Sequence, residues 1–145
     1  MKNPIKPVRK FPYRFIVNIK NMIARVTISP EAIEVINTLK KRFGDLMFHQ
    51  SGGCCDGSQP MCFEKGDFKV GNSDVCIGNI EDCEFWMSKD QFEYWKYTQL
   101  HINITKGMGS SFSLEIPMGV RFMTQSRMFT DEELTELAPL KFLED

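Results

Sequence analysis

Hydrophobic and polar positions alternate along the chain with two different periods, and they predict short strands and one long helix. Between Ser29 and Gly44, apolar residues recur at spacings of four, three and four, which places them on one face of a helix. Ser29 suits the N-cap, Pro30 suits the first helical turn, and Gly44 supplies the stop. The apolar face comprises Ala32, Ile36, Leu39 and Phe43. We therefore expect one main helix that contributes to the core.

Shorter apolar or alternating runs predict the remaining elements, most of which are strands. Ser88 is expected to cap a short helix that carries Trp95, and Thr130 begins a capping-box sequence for a C-terminal helix. The predicted strands lie at residues 25–28, 46–50, 63–70 with an interruption at 66–67, 74–78, 83–87, 100–104, 112–114 and 120–123. The pattern therefore predicts an α+β fold with seven or eight short strands, one main helix and one or two short helices.

Length and charge narrow the class of protein. The chain has 145 residues and no apolar run of the roughly 18 residues that span a bilayer, so we expect one domain and no membrane partner. The net charge is −1, but residues 1–30 contain seven basic residues and no acidic residue, whereas the remainder holds 11 basic and 19 acidic residues. A nucleic-acid-binding fold would carry a basic stripe across its surface, whereas the overall charge here is close to neutral, so no nucleic-acid partner is expected. We divide the chain into a basic extension (1–24), a single domain (25–129) and an acidic C-terminal helix or tail (130–145).

Cysteines carry the most distinctive chemistry in the sequence. An odd number of cysteines, five, without an export signal predicts reduced thiols and a cytoplasmic location. Three of them lie with a histidine and an aspartate in a glycine-rich segment of 14 residues, and thiolate and imidazole are ligands that zinc and iron prefer. We expect His49, Cys54, Cys55 and Cys62 as metal ligands, with Asp56 in support. Cys76 and Cys83 lie in strand-like segments and are expected to be core or bystander thiols.

Two other interpretations remain open. In the first, Cys54 or Cys55 is a nucleophile and His49 is its base, in a small enzyme that acts on an aldehyde or a thioester. In the second, the chain is a non-catalytic interaction module. No Ser–His–Asp order, phosphate-binding loop or dinucleotide fingerprint is visible. His101 lies on the polar phase of its strand and is expected to face solvent.

The segment LMFHQSGGCCDGSQPMC at residues 46–62 resembles the signature of a bacterial family, domain of unknown function 779. The resemblance continues through residues 91–100 and 119–122 and covers about residues 25–129. Members of this family are often encoded beside aldehyde dehydrogenases, so the resemblance implies an aldehyde dehydrogenase or another enzyme as partner. Self-association of the chain is a further alternative.

A more distant similarity links the domain to HesB-type, A-type iron–sulfur carriers, through a strand, a helix and a second strand that ends in Gly-Gly-Cys. The resemblance implies a compact β-sandwich-type fold. In those carriers two further cysteines complete the cluster ligands, and here the corresponding positions fall near Met123 and Gln125, which leaves only Cys54. Thioether and amide groups do not replace thiolates in an iron–sulfur cluster, so a cluster is less expected than the zinc or iron ion that the thiol and imidazole groups of residues 49–62 predict.

Overall fold

The computed structural model describes residues 22–51, 56–107, 109 and 112–143. These residues form eight strands, three α-helices and one turn of 3-10 helix, joined by loops. The elements in chain order are β1 (Val26–Ile28), α1 (Pro30–Phe43), β2 (Leu46–Gln50), β3 (Met61–Glu64), β4 (Asp74–Ile80), β5 (Cys83–Ser88), α2 (Lys89–Trp95), β6 (Thr98–Lys106), the 3-10 turn (Ile116–Met118), β7 (Val120–Met128), α3 (Asp131–Leu134) and β8 (Lys141–Phe142). The predicted α+β class, with eight strands and one main helix, is confirmed for these residues.

Helix α1 begins and ends at the predicted residues. The Ser29 hydroxyl accepts a hydrogen bond from the Ala32 amide at 3.2 Å, which satisfies one of the free amides of the first turn. Gly44 ends the helix with a positive φ of 82°, and its amide donates to the Lys40 carbonyl. Ala32, Ile36 and Leu39 are buried, so the apolar stripe is the core face.

The strands form two mixed sheets. The smaller has the order β1-β6-β7, in which β1 is parallel to β6 and β7 is antiparallel to it. The larger has the order β3-β2-β5-β4-β8, in which β2 is parallel to β5 and the other pairs are antiparallel. Strands β2 and β5 lie inside the larger sheet, and β2 is buried along its whole length.

One hydrophobic core joins both sheets and α1. Phe48 of β2 contacts Phe122 of β7 edge to face, with ring centroids 5.0 Å apart, and stacks on Phe85 of β5. Because successive side chains of a strand point to opposite faces, Met47 lies on the other face of the larger sheet. There it packs with Cys76 and Trp86 in a second, smaller cluster. We call this second side the outer face.

Several strand predictions need correction, since β4 and β6 are longer than predicted and three other segments differ more. Residues 112–114 form a turn, in which Phe112 is 79% exposed and the Leu114 amide donates to the Cys62 carbonyl, so the segment covers the edge of β3 without forming a strand. Strand β3 spans Met61–Glu64 and ends where Gly66 takes a positive φ. Strand β7 continues to Met128 because β6 offers it a partner at every position.

The C-terminal residues join both sides of the fold. The predicted capping box is present in α3, where Thr130 and Glu133 exchange hydrogen bonds. Ile23 forms a parallel bridge with Leu137, and β8 adds to the edge of β4. Most of the predicted basic extension falls outside the described residues. Within the described part of the chain, every helix falls short of the length and apolar character that crossing a membrane requires.

Candidate functional site

His49 is the centre of a polar site at the end of β2. Its Nε2 lies 3.0 Å from Asp74 Oδ1, and its Nδ1 lies 2.8 Å from Ser51 Oγ. Asp74 begins β4, and its second oxygen accepts a hydrogen bond from the Gly71 amide at 2.9 Å. The sheet order places β4 two strands from β2, so the side chains of His49 and Asp74 meet across β5. The carboxylate is thus held on one side by the backbone and meets the imidazole with its other oxygen.

This arrangement selects one tautomer of the His49 ring. An ionised carboxylate only accepts hydrogen bonds, so in the neutral imidazole Nε2 carries the proton and donates it to Asp74. Nδ1 then presents its lone pair to Ser51, whose hydroxyl donates to it. A carboxylate that orients an imidazole in this way is found both behind catalytic bases and behind metal ligands. In either case the working atom of His49 is Nδ1, which faces the start of the glycine and cysteine segment.

Aromatic side chains cover the other sides of the His49 ring. Phe68 packs against it with ring centroids 4.3 Å apart, and Phe63 stacks on Phe68 in turn. Trp86 lies opposite His49 in the register of β2 and β5. His49 is only 5% exposed. The ring is therefore fixed in orientation and largely shielded from water.

Cys62 does not lie with His49. Cys62 pairs with Phe48 in the register of β2 and β3, whereas His49 pairs with Met61, so the thiol points into the core and the imidazole points to the outer face. Cys62 is fully buried, and burial, followed by the negative charge of Glu115 and the neighbouring Cys83, raises the pKa of its thiol. The structure therefore separates two of the four predicted metal ligands.

The two other predicted ligands, Cys54 and Cys55, lie outside the described residues, and their role remains a prediction. The residues that follow them are anchored to β7. Asp56 accepts a hydrogen bond from the Ser126 hydroxyl at 2.7 Å, and the backbones of Gly57 and Ser58 pair with Thr124. Asp56 is exposed and engaged by Ser126, so it lies apart from the contacts of His49. Among the described residues that flank the two cysteines, Ser51 thus lies beside His49, and Gly57 and Ser58 lie on the smaller sheet.

A buried polar network supports this end of the molecule. Glu115 is fully buried and accepts hydrogen bonds from the Ser113 hydroxyl, from Gln59 Nε2 at 3.0 Å and from the Phe122 amide at 3.0 Å. The Ser113 hydroxyl also accepts from the Cys62 amide at 2.8 Å. A second buried pair joins Thr124 to Gln50. Together these bonds connect β2, β3 and β7 around the base of the loop that carries Gln59.

The remaining candidates occupy separate places. Cys83 is buried in the core, and desolvation raises the pKa of its thiol to about 11. Cys76 is buried in the outer cluster, where burial also raises its pKa. His101 is half-buried, and its Nδ1 lies 2.9 Å from the Thr27 hydroxyl, so it is less exposed than the sequence predicts. Among the described residues, no three histidine, cysteine or acidic side chains come together as a metal-ligating group.

The positions that correspond to cluster ligands in the carrier domains fall on β7. Met123 pairs with Asn103, and Gln125 pairs with His101. Neither a thioether nor an amide supplies the thiolate that an iron–sulfur cluster requires, so the residues present do not fit such a cluster.

Asp74 and Ser51 are candidate site residues that the sequence alone does not identify. Asp74 is 25 positions from His49, and only the order of strands in the sheet brings the two together. A weak signal is present, because Asp74 opens a predicted strand, where acidic residues are uncommon.

Comparison with known proteins places the chain in a family. A sequence model of the family described as domain of unknown function (DUF779) matches residues 35–128, which contain β2 to β7 and the whole candidate site. No match was found among curated proteins or solved structures. The likeness to iron–sulfur carriers therefore remains a prediction. Because the matched range covers well over half of the chain, the protein belongs to the DUF779 family.

Proposed function

We propose that this protein acts through a thiol of Cys54 or Cys55, with His49 as the base and Asp74 as the group that orients it, on the carbonyl carbon of a thioester or an aldehyde. The observation that carries the proposal is the hydrogen-bonded series Asp74–His49–Ser51. Its last member, Ser51, is three residues before Cys54 along the chain. Ser51 then occupies Nδ1 of His49 until a thiol takes its place.

The chemistry requires only groups that this chain supplies and water. Nδ1 of His49 takes the proton of the thiol, and the thiolate attacks the carbonyl carbon to form a carbon–sulfur bond. With a thioester, the original carbon–sulfur bond breaks and the leaving thiolate takes the proton from His49. A water molecule then releases the acyl group as a carboxylic acid and restores the thiol. With an aldehyde, the carbonyl oxygen takes the proton from His49 as the carbon–sulfur bond forms, and the reaction stops at a reversible thiohemiacetal without any oxidant.

The buried thiols make this proposal directly testable. Cys62, Cys76 and Cys83 have raised pKa values and lie in the interior, so they are expected to be unreactive in the native protein. Limiting iodoacetamide at neutral pH, followed by peptide mass spectrometry, should label Cys54 or Cys55 first. The Asp74→Asn variant should slow this labelling at least about tenfold, because the imidazole loses its fixed tautomer.

The matched control is Asp90→Asn, which changes an exposed aspartate at the start of α2 and should leave the labelling rate unchanged. A loop thiol that reacts no faster than free cysteine would contradict the proposal. So would equal labelling rates in the wild type and the Asp74→Asn variant. Circular dichroism of each variant establishes that the fold is retained.

A zinc or iron site is the second candidate function. What supports it is the same pair, because an imidazole that ligates a metal commonly donates its other N–H to a carboxylate. The ligands would be His49 and the thiols of Cys54 and Cys55, and not Cys62. Metal analysis of protein purified without tag or chelator, followed by zinc and iron titration, tests this. Uptake of one ion that is lost in His49→Gln and retained in Cys62→Ser would favour the metal site over the nucleophile.

The partner enzyme is a separate proposal. An aldehyde dehydrogenase would produce or consume the carbonyl compounds that a thiol of this kind captures. Co-purification of the two proteins, compared between the wild type and a Cys54→Ser/Cys55→Ser variant, tests whether the thiols take part. If the variant binds the enzyme as the wild type does and supports its activity equally, the chain is an interaction module and the thiol proposal fails.

A further inference from the structure

A groove lies on the outer face of the larger sheet, next to the site of His49 but separated from it. Its floor is formed by Met47 of β2 and Trp86 of β5, and Phe68, Val70 and Leu143 form apolar walls. The volume is about 390 Å³, at the lower end of the range for pockets that bind small molecules. Phe68 stands between this groove and His49, since one face of its ring packs against the imidazole. The groove is therefore an apolar space of its own.

One of the two acidic side chains in the groove, Glu84, is neutralised by a lysine of the same chain. Glu84 accepts hydrogen bonds from Trp86 Nε1 at 3.1 Å and from the ammonium group of Lys141. Its pKa is lowered first by the Lys141 hydrogen bond, so the carboxylate stays ionised and paired. Asp82, in the turn between β4 and β5, is the other acidic residue in the lining.

Basic charge at the rim is not neutralised in the same way. Lys65 and Lys69 both line the groove and are exposed. Within the described residues, their side chains make no hydrogen bond or ion pair. The charge of Lys65 lies near enough to Glu84 to help lower the pKa of that carboxyl, but the main partner of Glu84 is Lys141. The lining thus offers two ammonium groups without a direct hydrogen-bond or ion-pair partner, against the carboxylate of Asp82 and the already paired Glu84. An apolar floor beside free ammonium groups is complementary to a small molecule that has an apolar body and one negative charge.

We propose that this groove binds a small apolar carboxylate, such as a medium-chain fatty acid. The hydrocarbon part lies on Met47 and Trp86 between the walls of Phe68 and Val70. The carboxylate meets the ammonium groups of Lys65 and Lys69 at the rim. This binding is independent of the thiol chemistry, because it uses neither His49 nor a cysteine.

Octanoate is a suitable probe, and the full chain is titrated with it by isothermal calorimetry. The intrinsic fluorescence of Trp86 gives a second signal, since Trp95, the other tryptophan, lies in the separate core. We expect saturable binding of octanoate, and binding of octylamine at least about tenfold weaker because its charge has the wrong sign. Lack of saturation below about 10 mM octanoate, or equal affinity for the two probes, would overturn the proposal.

Two variants separate the charged and apolar contributions. Lys65→Gln/Lys69→Gln should weaken octanoate binding at least about tenfold and leave the binding of neutral octanol nearly unchanged. Val70→Asp should weaken both, because it places a charge in the apolar wall. The control is Lys41→Gln/Arg42→Gln at the exposed end of α1, which should bind octanoate as the wild type does. An equal loss in the control pair would show that affinity follows net charge alone, and it would refute a built site.

Discussion

Asp74 gives His49 a defined orientation because Asp74 is itself held from the other side. The Gly71 amide fixes one carboxylate oxygen, and the other is left to accept from Nε2 of the imidazole. A histidine on a strand without such a partner would rotate and exchange tautomers. The geometry therefore assigns a single working atom, Nδ1, before any substrate or metal is considered.

Individual residues also show what sequence reasoning can reach. The cluster of His49, Cys54, Cys55 and Cys62 is visible in the sequence, because the residues lie close together along it. That Cys62 faces the core is decided by its pairing with Phe48, and the register of a hairpin joined by a long loop is not encoded in spacing alone. Asp74 was missed for the same reason, since strand order places it.

The Glu115 carboxylate is the residue on which we expect the fold near the loop to depend most. Glu115→Ala would leave two buried donors, the Ser113 hydroxyl and the Phe122 amide, without this acceptor, and it would remove one hydrogen bond of the half-buried Gln59. We expect a loss of at least about 3 kcal/mol in the free energy of unfolding, measured by urea denaturation.

Glu132→Ala is the matched control for that experiment. Glu132 is an exposed residue of α3, and its replacement should change the free energy of unfolding by less than about 0.5 kcal/mol. A loss below about 1 kcal/mol for Glu115→Ala would mean that water reaches the donors of Ser113 and Phe122, contrary to their burial.

At the scale of elements, local signals predicted α1 and β2 with their bounds. A cap, an apolar stripe and a glycine stop act within one segment, and so the sequence is enough to place α1. Residues 112–114 have an alternating pattern but do not form a strand. They make only two hydrogen bonds with Cys62 at the edge of β3: the Leu114 amide donates to its carbonyl, and the Ser113 hydroxyl accepts from its amide. Strand length likewise depends on the partner, as the extension of β7 along β6 shows.

Ser29 links helix α1 to strand β6, and its removal tests that link. The hydroxyl accepts from the Ala32 amide and donates to Asn103 Oδ1 at 2.9 Å. Ser29→Ala should therefore lower the free energy of unfolding by about 1–2 kcal/mol. Thr38→Ala in the same helix removes an exposed hydroxyl and should have an effect below about 0.5 kcal/mol. Equal values for the two variants would exclude a capping role for Ser29.

For the whole molecule, the buried thiols predict a loss of stability in alkaline solution. The pKa of Cys83 is raised from 9.0 in the unfolded chain to about 11 in the folded one, chiefly by burial. Above pH 9 the unfolded state loses this proton while the native state keeps it, so the unfolded state binds fewer protons and stability falls up to about pH 11. Below pH 9 both states keep the proton, and the stability that the buried neutral thiol contributes is fully present.

Urea unfolding midpoints measured from neutral pH to pH 11 would test this dependence. Cys83→Ala should be less stable at every pH, because it leaves a cavity, yet its stability should fall less steeply above pH 9. Lysine and tyrosine side chains titrate equally in both proteins and cancel in the comparison. Parallel curves for the two proteins would contradict the assigned shift.

The two-residue strand β8 limits the association of one copy of this protein with another through the edge of the larger sheet. Pairing of Lys141 and Phe142 with Cys76 and Val75 covers part of an edge that is seven residues long in β4. An uncovered edge of that length is a template for strand addition from another chain, and a lysine beside it discourages such growth. Removal of the residues after Leu140 should therefore promote concentration-dependent aggregation, visible by light scattering. In this sense the shortest strand protects the sheet against polymerisation.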